Sequence, residues 1–159
     1  MHSTSSALQE LFATSFARYL AIRPSGIQLP HGVIHASLRV TLRDSRPART
    51  LYHDHHPQCR SLDGIRSVTH DRACADCLLR PDCTPQIHID LIHDRVPYRL
   101  LLAYTSARNF LLFLSRLGKQ GRGLPQSDVI LSVLNRGRWG ELRFISSPSS
   151  NPITQCHPT

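Results

Sequence analysis

The sequence has no long hydrophobic run: no stretch approaches the roughly 18 consecutive apolar residues that cross a bilayer. Residues 1–13 also lack the basic segment and apolar core that mark a secretory signal. We therefore expect a cytoplasmic protein with no membrane segment, in which cysteine thiols stay reduced. The length of 159 residues suits a single domain.

Motifs of the common catalytic sites are missing as well. There is no G-x-S-x-G elbow and no Walker-type loop, and the acidic residues are too dispersed for a two-metal nuclease. The glycine-rich residues 118–123 follow a predicted helix instead of opening one, so they cannot place a phosphate on a helix N-terminus. We expect a protein that is not an enzyme.

Negative charge is scarce, with 11 acidic residues against 19 basic ones and a formal net charge of +8. Lys119 is the only lysine, and the other basic residues are arginines, which bind phosphate bidentately and stack on bases. This balance favours a polyanionic partner. The alternative is that arginine reflects genomic base composition and that the charge only aids solubility.

Four of the five cysteines are close in sequence, with the spacing Cys59-x14-Cys74-x2-Cys77-x5-Cys83. A C-x2-C pair presents two thiolates from one turn, and two more thiolates complete the tetrahedron that zinc prefers. Four thiolates leave no open position on the ion, so we predict a structural zinc site. Cys156, near the end of the sequence, is predicted to be incidental.

Two alternatives to a four-cysteine site remain open. The cysteines can be free or disulfide-bonded, although a reducing compartment disfavours disulfides. A histidine can also replace one cysteine, and the candidates are His53, His55, His56 and His70.

Hydrophobic periodicity predicts two helices. Residues 4–22 carry apolar side chains three and four positions apart, and Pro24 and Gly26 end this amphipathic segment. A second helix follows Ser106 as N-cap and stops at Gly118. Its apolar stripe consists of Ala107, Phe110, Leu111, Phe113, Leu114 and Leu117.

Strands are predicted where apolar residues alternate or cluster between turn residues. They cover residues 34–42, 86–92, 98–104, 129–134 and 139–145, with a short extra strand at 51–53. Residues 93–97 and 135–138 are predicted to close hairpins. Without the short strand, the order is three strands, a helix and two strands.

This order predicts a mainly β fold, an OB-fold-like five-stranded barrel with a zinc-stapled loop insertion and an N-terminal helix. A different small β-barrel or an α+β sandwich gives nearly the same pattern. We expect an N-terminal helix and linker over 1–26, the barrel over 27–146 with the zinc loop at 57–85, and a disordered tail over 147–159.

Several motifs occur together in the sequence: Pro57-x-Cys59-x-Ser61-x-Asp63-Gly64-Ile65, Cys74-Ala75-x-Cys77, Cys83, Pro97-Tyr98-Arg99-Leu100, Ser106 with Asn109, and Leu117-Gly118. Together they resemble small zinc-binding proteins of bacteriophages and mobile elements, similar to phage single-stranded DNA-binding proteins with a zinc-stapled OB-fold. The resemblance covers residues 57–144. It implies zinc held by the four cysteines and binding of single-stranded DNA in replication, recombination or transfer.

One departure from that family lies between Cys77 and Cys83, where a short Leu78 to Asp82 segment replaces a longer stretch rich in glycine and lysine. The resemblance therefore supports the metal site more than it supports DNA contacts in this segment. Asp63-Gly64 is predicted to form a turn of the zinc loop, because Asp-Gly favours positive backbone dihedrals.

Single-strand binding combines cationic side chains for the phosphates with exposed rings for the bases. The predicted binding residues are Arg39, Arg43, Tyr52, Arg60, Arg66, Tyr98, Arg99, Tyr104, Arg136, Arg138 and Trp139. Trp139 is the favoured stacking ring, since it lies beside arginines at a predicted hairpin tip. Phe110 and Phe113 are predicted to be core.

Single-stranded DNA is the expected partner and single-stranded RNA the other candidate, and the N-terminal helix is a candidate homodimer contact. A rival hypothesis is a zinc-stabilised module that binds a host protein. A second rival, a nuclease or redox enzyme, requires an open metal position or reactive thiols, which a closed four-cysteine site does not offer.

Overall fold

The structure, a computed structural model, describes residues 18–124 and 127–147, which form nine β-strands, one α-helix and two short 3-10 helices. The strands are β1 (Ala21–Arg23), β2 (Gly26–Gln28), β3 (Ile34–His35), β4 (Ser37–His53), β5 (His56–Ser61), β6 (Thr84–His93), β7 (Val96–Ala103), β8 (Ser127–Asn135) and β9 (Gly140–Ser146). The helix α1 spans Tyr104–Lys119. No helix among the described residues is long and apolar enough to cross a membrane.

A six-stranded antiparallel sheet in the order β7-β6-β4-β8-β9 forms most of the molecule, and β5 pairs with the last part of β4. The long strand β4 connects its parts, since its first residues pair with β8 and its later residues with β6. An irregularity in the register between Leu42 and Asp44 leaves Arg43 without an opposite residue on β6. Such a bulge bends a strand, which lets β4 serve both halves of the sheet.

Two hairpins of this sheet have the same two-residue turn. Asp54 and His55 join β4 to β5 with φ values of 48° and 65°, and Asp94 and Arg95 join β6 to β7 with 47° and 66°. Two successive positive φ values are those of a type I′ turn, which matches the twist of a hairpin. The second hairpin confirms the one predicted at residues 93–97. The short strand predicted at residues 51–53 is instead the end of β4.

The N-terminal segment differs from its prediction. Residues 1–17, which carry most of the predicted helix, lie outside the described residues. From residue 18 onward the chain is extended: the Leu20 N–H donates to the Arg99 carbonyl at 2.8 Å, and the Arg99 N–H donates to the Arg18 carbonyl at 2.9 Å. The helix therefore does not reach residue 22, because this stretch pairs with β7 and then enters β1.

The same segment also contacts the other outer strand of the sheet. Arg23, at the end of β1, packs its carbonyl against Gly140 at the start of β9. β7 and β9 do not pair with each other in the part of the chain that the structure describes. The order of strands around α1 is the predicted one, but the sheet is not a closed barrel.

The core lies between the sheet, the small sheet β1-β2-β3 and α1. Phe110 and Phe113 of α1 pack on Phe144 of β9 with ring centroids 5.1 and 5.7 Å apart, which confirms both as core residues. Each such fully buried side chain contributes about 1.5–3 kcal/mol. Leu111, predicted in the same stripe, is exposed.

Ser106 is not the N-cap of the helix. The cap position is Ala103, with no side-chain hydrogen bond, and the Ser106 hydroxyl accepts the Leu142 N–H of β9 at 3.0 Å. Asn109 donates at 3.0 Å to the Leu142 carbonyl and to the Glu141 carboxylate. These side chains hold α1 against β9.

Ser147, the first residue of the predicted tail, packs against the folded structure. Ser146 belongs to β9, and Ser147 is buried with its N–H donating to the Asp128 carbonyl at 3.1 Å. Residues 148–159, including Cys156, lie outside the described residues.

Gly140→Ala tests the contact between the N-terminal segment and β9. A Cβ at this position lies 2.4 Å from the Arg23 carbonyl oxygen and 2.7 Å from Cγ1 of Val133. Because backbone blocks the new methyl group, we expect the free energy of unfolding to fall by about 1–3 kcal/mol. Urea denaturation measures this loss.

Gly118→Ala is the matched control, since a Cβ there meets nothing within 4 Å and the residue lies in α1. In a helix this change is expected to be neutral or to stabilise by up to about 1 kcal/mol. A Gly140→Ala protein as stable as the wild type would show that Arg23 does not pack on β9.

Candidate metal centre and nucleic-acid interface

Strand β5 and the loop from β5 to β6 carry the four cysteines. Cys59 lies on β5, Cys74 begins the 3-10 helix Cys74–Asp76, Cys77 follows it, and Cys83 follows the 3-10 helix Arg80–Asp82. The Cys77 N–H donates to the Cys74 carbonyl at 3.3 Å, and the Cys83 N–H donates to the Arg80 carbonyl at 3.2 Å. Tight turns thus place three of the four thiols.

Asp63 shapes the start of this loop, as the sequence predicted. Its Oδ1 accepts the Ile65 N–H at 2.8 Å, the Arg66 N–H at 3.0 Å and the Ser61 hydroxyl at 3.0 Å. The N–H groups of Arg66 and then Ile65 are the main causes that lower the pKa of Asp63, because they stabilise its charged form. Gly64 adopts a φ of 73°, which completes the turn.

All four thiols line one cavity of about 600 Å³. Each cysteine is partly buried, and none of the four is in a disulfide. Burial raises the pKa of the Cys83 thiol, neighbouring Cys77 and Cys59 raise it further, and Arg49 partly offsets them. The thiols are therefore close enough to influence one another electrostatically.

These thiols are not a preformed ligand set. Within residues 18–124 and 127–147, no three His, Cys, Asp or Glu side chains form a group that can hold a metal ion. The number and type of donors fit zinc, which prefers four soft ligands at about 2.3 Å. A zinc ion therefore requires the thiols to converge within the cavity that they share.

One of the candidate histidines is placed to join them. His70 lines the same cavity as the thiols. His53, His55 and His56 belong to the exposed β4–β5 hairpin and do not line it. Of the four candidate histidines, His70 is thus the one that lines the thiol cavity and the one that can replace a cysteine as a ligand there.

Comparison of the chain with protein-family models, with curated proteins and with solved structures found no match. The chemistry of the described residues is therefore the basis for a function. Two features bear on it: the thiol cavity and the distribution of exposed rings and unpaired cations.

Three of the predicted rings are exposed. Trp139 is 46% exposed at the tip of the β8–β9 hairpin, Tyr104 is 77% exposed at the start of α1, and Tyr52 is exposed near the end of β4. Tyr98 is different: it is only 8% exposed and belongs to the core, so it offers no face to a base. The prediction for Tyr98 is wrong, because its side chain points to the core face of β7.

Hydrogen bonds and an ion pair fix the conformation of the hairpin tip that carries Trp139. The Gly137 N–H donates to the Asn135 side chain at 2.7 Å, and the Arg136 N–H donates to the Trp139 carbonyl at 3.0 Å. The Arg136 side chain contacts Glu141 at 2.8 Å. The pKa of Glu141 is lowered first by the hydrogen bond from Asn109 and then by the one from Arg136.

The predicted arginines fall into two groups. Arg66, Arg99 and Arg136 form ion pairs with Asp71, Asp90 and Glu141, at 2.5, 3.2 and 2.8 Å respectively. Exposed Arg39, Arg43 and Arg138 take part in none of the ion pairs between described residues. Arg60 is partly buried, and its Nε has no hydrogen-bond partner.

The ion pair of Arg99 belongs to a network on the face of β6 opposite the core. Arg46 donates to Nδ1 of His88 at 3.2 Å and to Asp90 at 2.5 Å, while the Tyr19 ring stacks on His88. His88 is 1% exposed, and burial is the main cause that lowers its pKa. A neutral ring matches its role as acceptor at Nδ1.

Three further arginines line the thiol cavity and were not predicted from the sequence: Arg49, Arg72 and Arg80. Arg72 and Arg80 lie two and three residues before a cysteine, a local signal that was available in the sequence. Arg49 lies on β4, and only the fold brings it to the loop.

Proposed function

We propose that this protein binds single-stranded DNA with little sequence preference. The observation that carries the proposal is the exposed Trp139 at the tip of the β8–β9 hairpin, beside Arg138, which has no ion-pair partner among the described residues. An aromatic ring stacks on any base, and a cation attracts the phosphates on either side of it. This pairing suits a single strand, whose bases are accessible.

Other exposed side chains offer further contacts for a strand. Arg39 on β4 and Arg43 at its bulge have no carboxylate partner among the described residues, and Tyr52 and Tyr104 offer two more rings. The net charge of +8 supports attraction to a polyanion. The order of strands around α1 is consistent with an OB-fold whose two outer strands are bridged by the N-terminal segment.

In this proposal zinc is structural. Cys59, Cys74, Cys77 and Cys83 hold the ion, and their convergence orders the loop between β5 and β6. Four thiolates leave no position for substrate, so the protein is not an enzyme.

The biological setting is proposed from the resemblance to zinc-binding proteins of phages and mobile elements. It is cytoplasmic replication, recombination or transfer of such an element. A homodimer contact through the segment before residue 18 remains part of this proposal.

A second candidate function is a zinc-stabilised module that binds a host protein. It is favoured by four exposed apolar side chains on the cysteine loop, namely Ile65, Val68, Leu78 and Leu79. Exposed apolar side chains that cluster in one region often mark protein contacts.

Fluorescence anisotropy with labelled single-stranded DNA, duplex DNA and single-stranded RNA across a salt series tests the two functions. We expect single strands to bind more tightly than duplex, with log K falling by about 0.7 per phosphate contact for each tenfold rise in salt. A folded protein that binds no nucleic acid at low salt would contradict strand binding and favour the protein partner.

A further inference from the structure

Three arginines surround the thiol cavity. Arg49 projects from β4, Arg72 precedes Cys74 in the loop, and Arg80 lies between Cys77 and Cys83. The cavity is therefore lined by cations as well as by thiols.

Among the described residues, the guanidinium groups of Arg49, Arg72 and Arg80 form no ion pair and no side-chain hydrogen bond. The nearest carboxylates in sequence do not line the cavity. Asp71 pairs with Arg66, and Asp63 accepts backbone N–H groups. Asp76 and Asp82 are exposed and do not line the cavity.

The formal charge of the cavity is positive when zinc is bound by four thiolates. Four thiolates and one zinc ion carry a net charge of −2, and three guanidinium groups carry +3, which leaves +1. When zinc is bound, one net positive charge therefore remains to attract an external anion.

The cavity has room for a phosphodiester group, and charged and polar side chains are among those that line it. Its volume of about 600 Å³ exceeds the space that such a group needs, and Gln58 and His70 also line it. Guanidinium groups bind phosphate oxygens with two parallel hydrogen bonds, which makes arginine well suited to a phosphate held beside a metal centre.

We infer that Arg49, Arg72 and Arg80 form a phosphate-binding site for a bound nucleic-acid strand, directly beside the thiol centre. This inference rests on the proposed strand binding and names the loop surface that takes part in it. Zinc then has a second effect, because ordering the loop places Arg72 and Arg80 opposite Arg49.

The test compares two triple variants that remove the same charge. Arg49→Gln/Arg72→Gln/Arg80→Gln removes the cavity arginines, and Arg95→Gln/Arg108→Gln/Arg116→Gln removes three exposed arginines of the β6–β7 turn and α1. Both are titrated with a labelled oligothymidine in a salt series, after zinc content and circular dichroism have been checked.

Each phosphate contact that is lost lowers the salt slope by about 0.7, and lowers affinity about fivefold at 0.1 M salt. We expect the cavity variant to lose between one and three such contacts, and the control variant to keep the wild-type slope. Equal effects of the two variants would overturn the inference. A cavity variant that loses zinc but keeps its affinity would also overturn it, because the arginines would then only balance the thiolates.

Two further results, a triple variant that does not fold and a wild-type protein that binds no strand, each require a second experiment. If the triple variant does not fold, the single variants Arg49→Gln, Arg72→Gln and Arg80→Gln take its place, and unchanged salt slopes in all three overturn the site. If the wild-type protein binds no strand, the proposed function fails separately. Inorganic phosphate is then titrated at low salt while the arginine Nε signals are followed by NMR; shifts of these three support an anion site, and no shift overturns it.

Discussion

Replacing Cys74 with serine is expected to reduce the zinc content of the protein from about one ion per chain to none. We also expect residues 62–83 to lose their fixed conformation while the main sheet stays folded. The reason lies in how little else holds this loop. Of its residues only Ser67 is buried, and four of its larger apolar side chains are exposed, namely Ile65, Val68, Leu78 and Leu79.

The other interactions in the loop are weak by comparison. The ion pair between Arg66 and Asp71 is exposed, and such pairs contribute at most about 1 kcal/mol. The Asp63 turn and the hydrogen bond from Cys74 N–H to the Ile65 carbonyl fix only short stretches. Structural zinc binds zinc-finger peptides with about 10–16 kcal/mol, so the metal is expected to dominate the order of this loop.

Inductively coupled plasma mass spectrometry measures the zinc, and hydrogen exchange measures the order of residues 62–83. Cys156→Ser is the matched control and should keep both, because that cysteine lies outside the proposed ligand set. His70→Ala decides the remaining ligand alternative: loss of zinc would place His70 among the ligands. A Cys74→Ser protein that retains one tightly bound zinc ion would contradict the four-thiolate site.

Elements with strong local periodicity were predictable from the sequence. Leu38, Val40 and Leu42 alternate along β4, and the spacing of Phe110 and Phe113 identifies the buried face of α1. In these segments the residues that decide the conformation are neighbours in sequence. The cysteine spacing is likewise a local signal, and it led to a cavity that the four thiols share.

The elements that were missed depend on distant partners. Strand β5 has Pro57 and little apolar alternation, and its turn at Asp54-His55 has no glycine, so only its pairing with β4 identifies it. Tyr19 and Leu20 fit a helical pattern, yet they are extended because Leu20 pairs with the backbone of Arg99. Tertiary pairing here overrides local periodicity.

The predicted binding residues also depend on partners that are distant in sequence. Arg99 and Arg138 look alike in the sequence, but Arg99 faces Asp90 on the neighbouring strand, and the exposed Arg138 has no such carboxylate among the described residues. Tyr98 and Trp139 both lie beside an arginine, and only the fold assigns one to the core and the other to a hairpin tip. Whether a side chain can contact a nucleic acid is therefore decided by the folded sheet and not by its neighbours in sequence.

Trp139→Ala is expected to weaken binding of single-stranded DNA by about 5- to 150-fold, since stacking on one base contributes about 1–3 kcal/mol. The salt slope should not change, because the ring carries no charge and neutralises no phosphate. We expect stability to change little, since the side chain is 46% exposed and is not part of the buried core cluster.

Two matched variants make this result specific. Trp139→Phe keeps a ring and should retain much of the affinity, whereas Leu112→Ala removes an exposed apolar side chain from α1 and should have no effect. Because Trp139 is the only tryptophan in the chain, quenching of intrinsic fluorescence on addition of unlabelled DNA reports its stacking directly.

The affinity of Trp139→Ala and the quenching of the wild-type protein together show whether the strand binds at the hairpin tip or elsewhere on the protein. Wild-type affinity in Trp139→Ala, with no quenching in the wild-type protein, would exclude the hairpin tip while leaving the arginines of β4 and of the thiol cavity as the contact surface. Loss of affinity with quenching would instead place a base on Trp139. Arg138 is then the adjacent phosphate ligand, and Arg138→Gln should lower the salt slope by about 0.7 where Trp139→Ala does not.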